Sequence, residues 1–216
     1  MESLARRRSR AEKILCALAE RFPDAHCTLD HRNPYELLVA TVLAAQCTDK
    51  RVNLVTPELF KKYPDAKQLA GAGQADLQEL IRSTGFFRNK AKSLAAMAKS
   101  LVDCHDGKVP GTLDELTTLA GVGRKTANVI IANCFGGQAI IVDTHCKRLS
   151  RRLGLTEESN PDKIELDLQK AVAEGKWSAW SHLMIFHGRG ICLARKPRCP
   201  ECPVEPLCPY DNKTKA

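Results

Sequence analysis

The sequence has no long hydrophobic run and few aromatic residues. None of its apolar stretches approaches the roughly 18 residues of a membrane-spanning helix. The charged start, MESLARRRSR, is not followed by the apolar segment of a secretory signal, so we expect a cytoplasmic protein, associated with the nucleoid if the source is bacterial. Aromatic residues make up only 5% of the chain, which argues against an extended stacking surface for single-stranded nucleic acid.

The alternating pattern of β-strands is also missing, and helical periodicity covers most of the chain. Residues 33–46 are apolar nearly all round, with Asn33 placed to cap the helix and Pro34 at its first position. Thr112 and Glu115 have the spacing of a capping box. One face of the helix predicted at residues 10–22 is formed by Ile14, Leu15, Leu18 and Ala19. We therefore predict an all-α fold.

Three segments depart from this helical pattern. Pro57 lies inside the pattern of residues 48–63, where the missing backbone amide predicts a break or a kink. The basic run RRRSR near the start is predicted to be a flexible arm rather than a reader of nucleic acid sequence. At residues 135–138, FGGQ, a helix ends at a glycine pair, which suggests a domain boundary.

Positive charge is in clear excess. The formal net charge is +8 and the isoelectric point is about 9.0. Such an excess indicates a polyanionic partner, most simply nucleic acid, although a merely soluble basic protein would show the same balance. Four basic side chains on one predicted helix are placed to face either phosphates or solvent: Lys147, Arg148, Arg151 and Arg152.

Four of the ten cysteines lie within the last 25 residues, in the spacing C-x6-C-x2-C-x5-C. They are Cys192, Cys199, Cys202 and Cys208. Disulfide bonds need an oxidising compartment, which the missing secretory signal does not support. A structural zinc site usually has two Cys-x2-Cys pairs, and only one is present here. A cubane iron–sulfur cluster is larger and suits wider spacings, so the pattern favours a cluster and leaves zinc open.

The stretch LAGVGRKTANVI, residues 119–130, joins two helical segments through a glycine-rich turn. It is not a P-loop, because Arg124 stands where that motif needs glycine and no strand precedes it. It is not a dinucleotide-binding turn either, because Thr126 replaces the third glycine.

What remains is a helix–turn–helix segment around Gly121, Val122 and Gly123. Both glycines are predicted to allow a positive φ and a close approach of the backbone to a ligand. The backbone amides of the turn would then bind a phosphate of a nucleic acid strand. A plain tight turn between helices is the alternative.

Lys125 and Asp143 are the candidate catalytic residues. Lys125 falls in the first turn of a helix, where the helix dipole favours the neutral, nucleophilic amine. Asp143 precedes another helix, and a capping position would keep its carboxylate ionised. An amine and a fixed carboxylate match the needs of N-glycosidic bond cleavage, since one attacks the anomeric carbon and the other stabilises charge on the sugar. A phosphate-contacting lysine and an ordinary helix cap are the alternatives.

Together, LAGVGRKTANVI, VDTH at residues 142–145 and the cysteine spacing resemble the helix-hairpin-helix DNA glycosylase/AP lyase superfamily of the iron–sulfur type. The resemblance extends from about residue 10 to residue 210. It implies two helical domains that flank a DNA-binding cleft. A six-helix barrel would occupy residues 27–137 and contain the helix-hairpin-helix at about 113–132. A discontinuous domain of residues 1–26 and 138–216 would hold a [4Fe–4S] cluster in the loop 192–208.

The resemblance also implies an activity: base-excision repair by a bifunctional N-glycosylase/AP lyase that removes oxidised pyrimidines from duplex DNA. Lys125 matches the Schiff-base lysine and Asp143 the catalytic aspartate, and the strand would break 3′ to the AP site by β-elimination. Gln46 matches a residue that fills the space of the flipped base, Phe86 a wedge that is aliphatic in many members, and His145 a residue near the lesion pocket. The hairpin residues Gly121, Val122 and Gly123 would contact DNA, the four cysteines would bind the cluster, and a monomer without membrane contacts is expected.

Two competing functions can be compared with the sequence. A monofunctional adenine-mismatch glycosylase shares the cysteine spacing and VDTH, but such enzymes typically lack a lysine at position 125 and carry an additional C-terminal domain. A non-catalytic DNA-binding iron–sulfur module would have no need of both Lys125 and Asp143. Cys146, which follows the DTH motif, is interpreted as a thiol of the core.

Overall fold

The computed structural model describes residues 2–215, and these residues form α-helices joined by short turns with no β-strand. The predicted all-α fold class is therefore confirmed. The helices are α1 Leu4–Arg21, α2 Pro34–Leu43, α3 Asp49–Lys62, α4 Ala66–Ala70, α5 Gln74–Ile81, α6 Phe87–His105, α7 Leu113–Thr118, α8 Arg124–Cys134, α9 Thr144–Arg152, α10 Pro161–Ala171 and α11 Trp177–Gly190. Single 3-10 turns occur at Arg82–Thr84, Glu174–Lys176, Cys199–Glu201 and Glu205–Leu207.

The chain divides into two compact units. One combines the residues up to His26 with those from Gln138 onward, and the other is Cys27–Gly137. Helices α2 to α8 belong to the second unit, while α1 and α9 to α11 belong to the first together with the cysteine-rich segment. In the part of the chain that the structure describes, no helix is long and apolar enough to span a membrane.

Helix α2 is the centre of the Cys27–Gly137 unit. The Asn33 side chain accepts a hydrogen bond from the Glu36 amide and Pro34 occupies the first turn, as predicted. Nearly all of its side chains are buried, and it packs against α3, α6 and α8. The helix ends at Leu43 rather than continuing to Gln46, because the chain turns there and Gln46 has a φ of 53°. Gln46 thus belongs to a left-handed turn.

Helix α3 continues through Pro57, so the predicted break is wrong, and the alternative of a kink stays a prediction. A proline inside a helix costs about 3 kcal/mol. The side chains around Pro57 are buried on one face of the helix, and burial of a large apolar side chain contributes about 1.5–3 kcal/mol each. The apolar ones are Val52, Leu59 and Phe60, and Thr56 is also buried on this face. Packing on both sides of the proline therefore outweighs its local preference.

The basic run near the start is helical, so the predicted flexible arm is wrong. Helix α1 begins at Leu4, and its arginines donate to backbone carbonyl oxygens at the ends of other helices. Arg8 Nε donates to Lys170 O over 2.7 Å near the end of α10, and an Arg10 Nη donates to Gly154 O over 3.2 Å just after α9. The arginine side chains donate to carbonyl groups that have no partner within their own helix, and their positive charge is favoured at the negative end of the helix dipole. These contacts explain why the basic run is helical.

The core of the discontinuous unit is formed by one face each of α1, α9, α10 and α11. On α1 the buried residues are Ala11, Ile14 and Leu18, whereas Ala19 is exposed, contrary to the sequence-based assignment. Fully buried side chains around them include Leu149, Leu155, Ile164, Leu168, Trp180 and Met184. This core lies next to the cysteine-rich segment, whose Val204 is also fully buried.

Candidate functional site

The glycine-rich stretch forms a helical hairpin. Thr112 caps α7, accepting from the Glu115 amide over 3.3 Å and donating to the Glu115 carboxylate over 2.6 Å. The turn between α7 and α8 is closed by a bond from the Val122 amide to Leu119 O over 3.1 Å, and the Val122 side chain is buried. Helix α8 then begins at Arg124 with Gly123 as its N-cap.

The two glycines of the hairpin differ in what they require. Gly121 has a φ of 76°, and a Cβ atom there would lie 2.9 Å from the Ser93 Cβ atom, so both the backbone and the packing demand glycine. Gly123 has a φ of −92°, so the predicted positive φ is wrong for this residue. A Cβ atom on Gly123 would meet nothing within 4 Å. The fold does not need glycine at position 123, and the bare backbone leaves room for a ligand.

The amides of the turn are available to such a ligand. Within residues 2–215, the Gly121 and Gly123 N–H groups have no acceptor in the protein, and both residues are exposed. They stand at the N-terminus of the α8 helix, where the helix dipole is positive. Unpaired amides at a helix N-terminus favour an anion such as a phosphate. Lys125 adds an exposed amine in the first turn of the same helix.

Asp143 is the N-cap of α9, as predicted. Its Oδ1 atom accepts from the Cys146 amide over 2.7 Å. Its Oδ2 atom makes no hydrogen bond to any other described residue, and the side chain is only partly buried. One oxygen therefore holds the carboxylate in place while the other remains free to interact.

His145 is packed against α11 in the same unit. A Cβ atom on Gly188 would lie 2.7 Å from His145 Nδ1 and 2.8 Å from its Cβ atom, so only glycine allows the two helices to approach this closely. Burial lowers the pKa of His145, although the carboxylate of Asp143 partly opposes the shift. Arg148 Nη2 lies 3.2 Å from His145 Nδ1. The imidazole is thus held in one place by a glycine and an arginine.

Two of the four basic side chains on α9 have internal roles. Arg148 donates to Gly188 O and to Cys192 O, each over 2.9 Å. Arg152 donates to Leu193 O over 2.7 Å and to Ala194 O over 2.9 Å, and its guanidinium lies over the Tyr210 ring. These two arginines hold the start of the cysteine-rich segment. The prediction that all four basic side chains face phosphates or solvent is therefore wrong for Arg148 and Arg152. Arg151 is exposed and Lys147 is half-buried.

Cys146 belongs to the core. Its side chain is fully buried, and burial raises the pKa of the thiol to about 12. The sulfur lies 3.7 Å from the Ser150 hydroxyl oxygen. Cys146 therefore remains a neutral thiol at physiological pH.

Gln46 and Phe86 share an unusual backbone conformation. Their φ angles are 53° and 49°, in the left-handed region that non-glycine residues rarely adopt. Both are exposed, and Phe86 exposes 63% of its surface. Strained backbone and an exposed aromatic side chain are features of functional positions. Both residues lie in the Cys27–Gly137 unit.

The four cysteines of the C-terminal segment surround one cavity. All four are partly buried and line the same cavity. In the described part of the chain, no three His, Cys, Asp or Glu side chains are close enough to hold a single metal ion.

Cations and hydrogen-bond donors approach these sulfurs. Arg152 Nη1 donates to Cys192 Sγ over 3.3 Å, and His187 Nε2 lies 3.6 Å from Cys202 Sγ. Burial raises the pKa of the Cys202 thiol to about 11, and it raises the pKa of Cys208 as well. Burial thus disfavours the thiolate form of these two cysteines.

Comparison with known protein families identifies the family to which this chain belongs. The family described as "HhH-GPD superfamily base excision DNA repair protein" matches residues 39–174, which include the hairpin and Asp143. The chain belongs to this superfamily. Relatives with high similarity include the endonuclease III of Synechocystis sp., 51% identical over 97% of this chain and 96% of the relative, and that of Bacillus subtilis, 44% identical over 94% and 93%.

Solved structures agree with this HhH-GPD assignment. The chain matches "Structure of a Trapped Endonuclease III-DNA Covalent Intermediate: Estranged-Adenine Complex" with a TM-score of 0.90 and 44% identity, over 97% of each chain. A thermostable thymine-DNA glycosylase, 23% identical with a TM-score of 0.83 over 94% and 95%, shares the fold. The resemblance to helix-hairpin-helix DNA glycosylases is thereby confirmed.

Lys90, on α6, was missed in the sequence analysis. Its ammonium is buried, with 5% of the residue exposed, and it donates to Leu43 O and Thr84 O, each over 2.8 Å. The signal was present in the sequence, because Lys90 continues the apolar face formed by Leu94 and Leu101. A lysine on such a face predicts a buried, hydrogen-bonded amine.

Proposed function

We propose that this chain is a bifunctional DNA N-glycosylase/AP lyase of base-excision repair that removes oxidised pyrimidines from duplex DNA. The observation that carries the proposal is the hairpin, where the unpaired amides of Gly121 and Gly123 stand beside the exposed amine of Lys125. Such a turn combines a backbone phosphate site with a nucleophile. A relative 44% identical was solved as a trapped covalent intermediate with DNA, which supports covalent chemistry for this chain as well.

Lys125 and Asp143 divide the chemistry. The Lys125 amine attacks the C1′ atom of the damaged nucleotide, the base departs with the electrons of the C1′–N bond, and Asp143 stabilises the positive charge that develops on the sugar. The sugar ring then opens as O4′ leaves C1′ and takes a proton from the nitrogen, which gives a protonated imine between Lys125 and C1′. Removal of a C2′ proton then expels the 3′ phosphate, which breaks the strand, and water hydrolyses the imine to free Lys125.

The remaining site residues hold the DNA. Gly121, Val122 and Gly123 bind a backbone phosphate through the hairpin. Gln46 fills the space that the extruded base leaves, and Phe86 supports the opposite strand with its exposed ring. His145 lies near the lesion pocket as a neutral, fixed imidazole. The protein acts as a monomer, in the cytoplasm or nucleoid.

A [4Fe–4S] cluster bound by Cys192, Cys199, Cys202 and Cys208 fits the cysteine-rich segment. The four sulfurs line one cavity, and the C-x6-C-x2-C-x5-C spacing supports a cluster over zinc. When bound, the cluster supplies a closed structural cross-link with no open coordination position. Arg152 donates to the Cys192 sulfur, and the His187 ring lies next to the Cys202 sulfur.

Borohydride trapping tests the nucleophile. The wild-type protein, incubated with a duplex containing thymine glycol and with sodium borohydride, is expected to form a covalent complex, because reduction makes the imine permanent. Lys125→Ala is expected to form none, while Lys99→Ala, which removes an exposed lysine on α6, is expected to trap normally. Strong trapping by Lys125→Ala would assign the chemistry to another amine. Intact binding without trapping by the wild type would favour the non-catalytic module.

Asp143→Asn separates the charge of Asp143 from its capping role. Asparagine caps a helix about as well as aspartate, so the bond to the Cys146 amide and the stability of α9 are expected to survive. Loss of the charge should slow base excision by roughly 100-fold, which corresponds to about 2.7 kcal/mol of transition-state stabilisation. An unchanged single-turnover rate would leave Asp143 as an ordinary cap.

The alternative of a monofunctional adenine-mismatch glycosylase makes a different prediction. Such an enzyme would excise adenine from a mismatch and leave the strand intact, whereas the proposed enzyme cuts the strand through Lys125. A panel of single-lesion duplexes, analysed with and without alkaline cleavage, distinguishes the two.

A further inference from the structure

Lys90 connects two separate segments of the Cys27–Gly137 unit. Leu43 is the last residue of α2, and its carbonyl group is one of those that a helix end leaves without an intrahelical partner. Thr84 belongs to the 3-10 turn before α6. The ammonium of Lys90 donates to both carbonyl oxygens over 2.8 Å. A single side chain therefore links the end of α2 to the turn before α6.

Each of these segments leads into a left-handed residue. The chain turns after Leu43 and reaches Gln46, whose φ is 53°. After Thr84 come Gly85 and Phe86, with φ angles of 72° and 49°. Two exposed side chains on strained backbone thus project from the two points that Lys90 joins.

We propose that Lys90 is a positioning residue that sets the relative placement of Gln46 and Phe86 and thereby controls base extrusion. The inference rests on the proposed function, in which these two side chains enter the DNA duplex. Lys90 itself is buried and would not touch DNA.

The cost of burying this amine indicates that it has a specific role. Burial lowers the pKa of Lys90, and nearby Cys47 opposes this shift. A buried lysine is uncommon unless its donors are paired, and two of its three N–H groups are used on the two carbonyl oxygens. A hydrophobic residue of similar length would fill the same space but could not hold the two loops at a fixed separation.

A double-mutant cycle tests the inference. Lys90→Met is made in the wild type and in the Gln46→Ala/Phe86→Ala variant, and single-turnover excision of thymine glycol is measured. In the wild type we expect a loss of roughly tenfold, since hydrogen bonds from a charged donor are removed. In the Gln46→Ala/Phe86→Ala background we expect a further loss below about threefold, because a residue that acts through these side chains has nothing left to position.

Three controls keep the result interpretable. Lys92→Met, an exposed lysine on the same helix, should change nothing. Cleavage at an AP site in single-stranded DNA, which needs no base extrusion, should change by less than about threefold in Lys90→Met. Lys90→Arg, which keeps the charge and the donors, should recover part of the lost excision rate. If Lys90→Met does not fold, the cycle is run with Lys90→Gln, whose shorter, neutral side chain cannot hold both carbonyl oxygens, and it decides in the same way.

The possible outcomes separate the two hypotheses. Equal losses on Lys90→Met in both backgrounds, or an equal loss of cleavage in single-stranded DNA, would overturn the positioning role. If Gln46→Ala/Phe86→Ala excised thymine glycol at the wild-type rate, the proposed roles of Gln46 and Phe86 would be contradicted. The inference about Lys90 would then lose its basis. Slow excision by Gln46→Ala/Phe86→Ala, together with a small further effect of Lys90→Met, supports both.

Discussion

The two hairpin glycines provide a prediction that separates folding from DNA binding. We consider Gly121→Ala and Gly123→Ala. At Gly121 an alanine must adopt a φ of 76°, which costs about 1–2 kcal/mol. Its Cβ atom would lie 2.9 Å from that of Ser93, and relieving such overpacking costs about 1–3 kcal/mol more. The reduced entropy of the unfolded chain offsets about 0.4–1 kcal/mol, so the net loss is about 1–5 kcal/mol.

Gly123→Ala has a different balance. The φ of −92° suits alanine and the added methyl group meets nothing within 4 Å. Alanine is a poorer N-cap than glycine by a few tenths to about 1 kcal/mol, which the unfolded-chain entropy of about 0.4–1 kcal/mol nearly cancels. Stability should therefore stay within about 1 kcal/mol of the wild type. DNA binding should weaken, because the methyl group occupies the space through which a phosphate approaches the amides.

Thermal unfolding, followed by circular dichroism, measures the change in stability. Fluorescence anisotropy with an AP-analogue duplex at fixed salt measures the change in DNA affinity. Loss of one amide–phosphate bond costs about 1.5–3 kcal/mol, so Kd should rise roughly tenfold or more for Gly123→Ala. Gly73→Ala is the matched control, since Gly73 caps α5 with a φ of −63° and equally open space. Unchanged DNA binding by Gly123→Ala, or a loss of Tm as large as that of Gly121→Ala, would refute the reasoning.

Two further predictions concern the discontinuous unit. Arg10→Ala should destabilise it by about 1–3 kcal/mol, because Arg10 donates to the carbonyl oxygens of Leu153, Gly154 and Leu207. The control is Arg6→Ala, which removes an exposed arginine and should change the free energy of unfolding by less than about 0.5 kcal/mol. Equal urea midpoints for the two variants would restore the flexible-arm interpretation. The purified protein should be brown and hold about four iron atoms per chain, and Cys202→Ala should lose them while the exposed Cys104→Ala keeps them. A colourless protein loaded with zinc would contradict the cluster.

Local patterns in the sequence determined much of the fold. Asn33, Thr112 and Asp143 were identified as helix caps from their residue type and position, and the structure places each at a helix N-terminus with a side-chain bond to a backbone amide. The apolar periodicity likewise predicted an all-α chain. Caps and periodicity are local properties that depend on neighbours within one or two helical turns, so a single sequence contains them.

The predictions that failed depended on residues distant in the chain. Pro57 stays helical because buried neighbours hold α3, and the basic run is ordered because carbonyl groups from α9 and α10 meet its arginines. Gly121 and Gly123 read alike in the sequence, yet only Gly121 faces Ser93 and needs a positive φ. In each case the local conformation was decided by a distant partner, about 30 residues away or more, or by burial of one helix face. These tertiary contacts outweighed the conformational preference of the local sequence.

The candidate site shows the same division. The sequence by itself determined which residue types are present at the hairpin, at VDTH and in the cysteine segment, because their spacing carries the chemistry. Only the tertiary structure decided that Arg148 and Arg152 bind carbonyl groups instead of facing outward, and that the four cysteines surround one cavity. It alone placed the Lys90 amine between Leu43 and Thr84. A charged side chain has no preferred partner until folding removes water and brings particular acceptors within hydrogen-bonding distance.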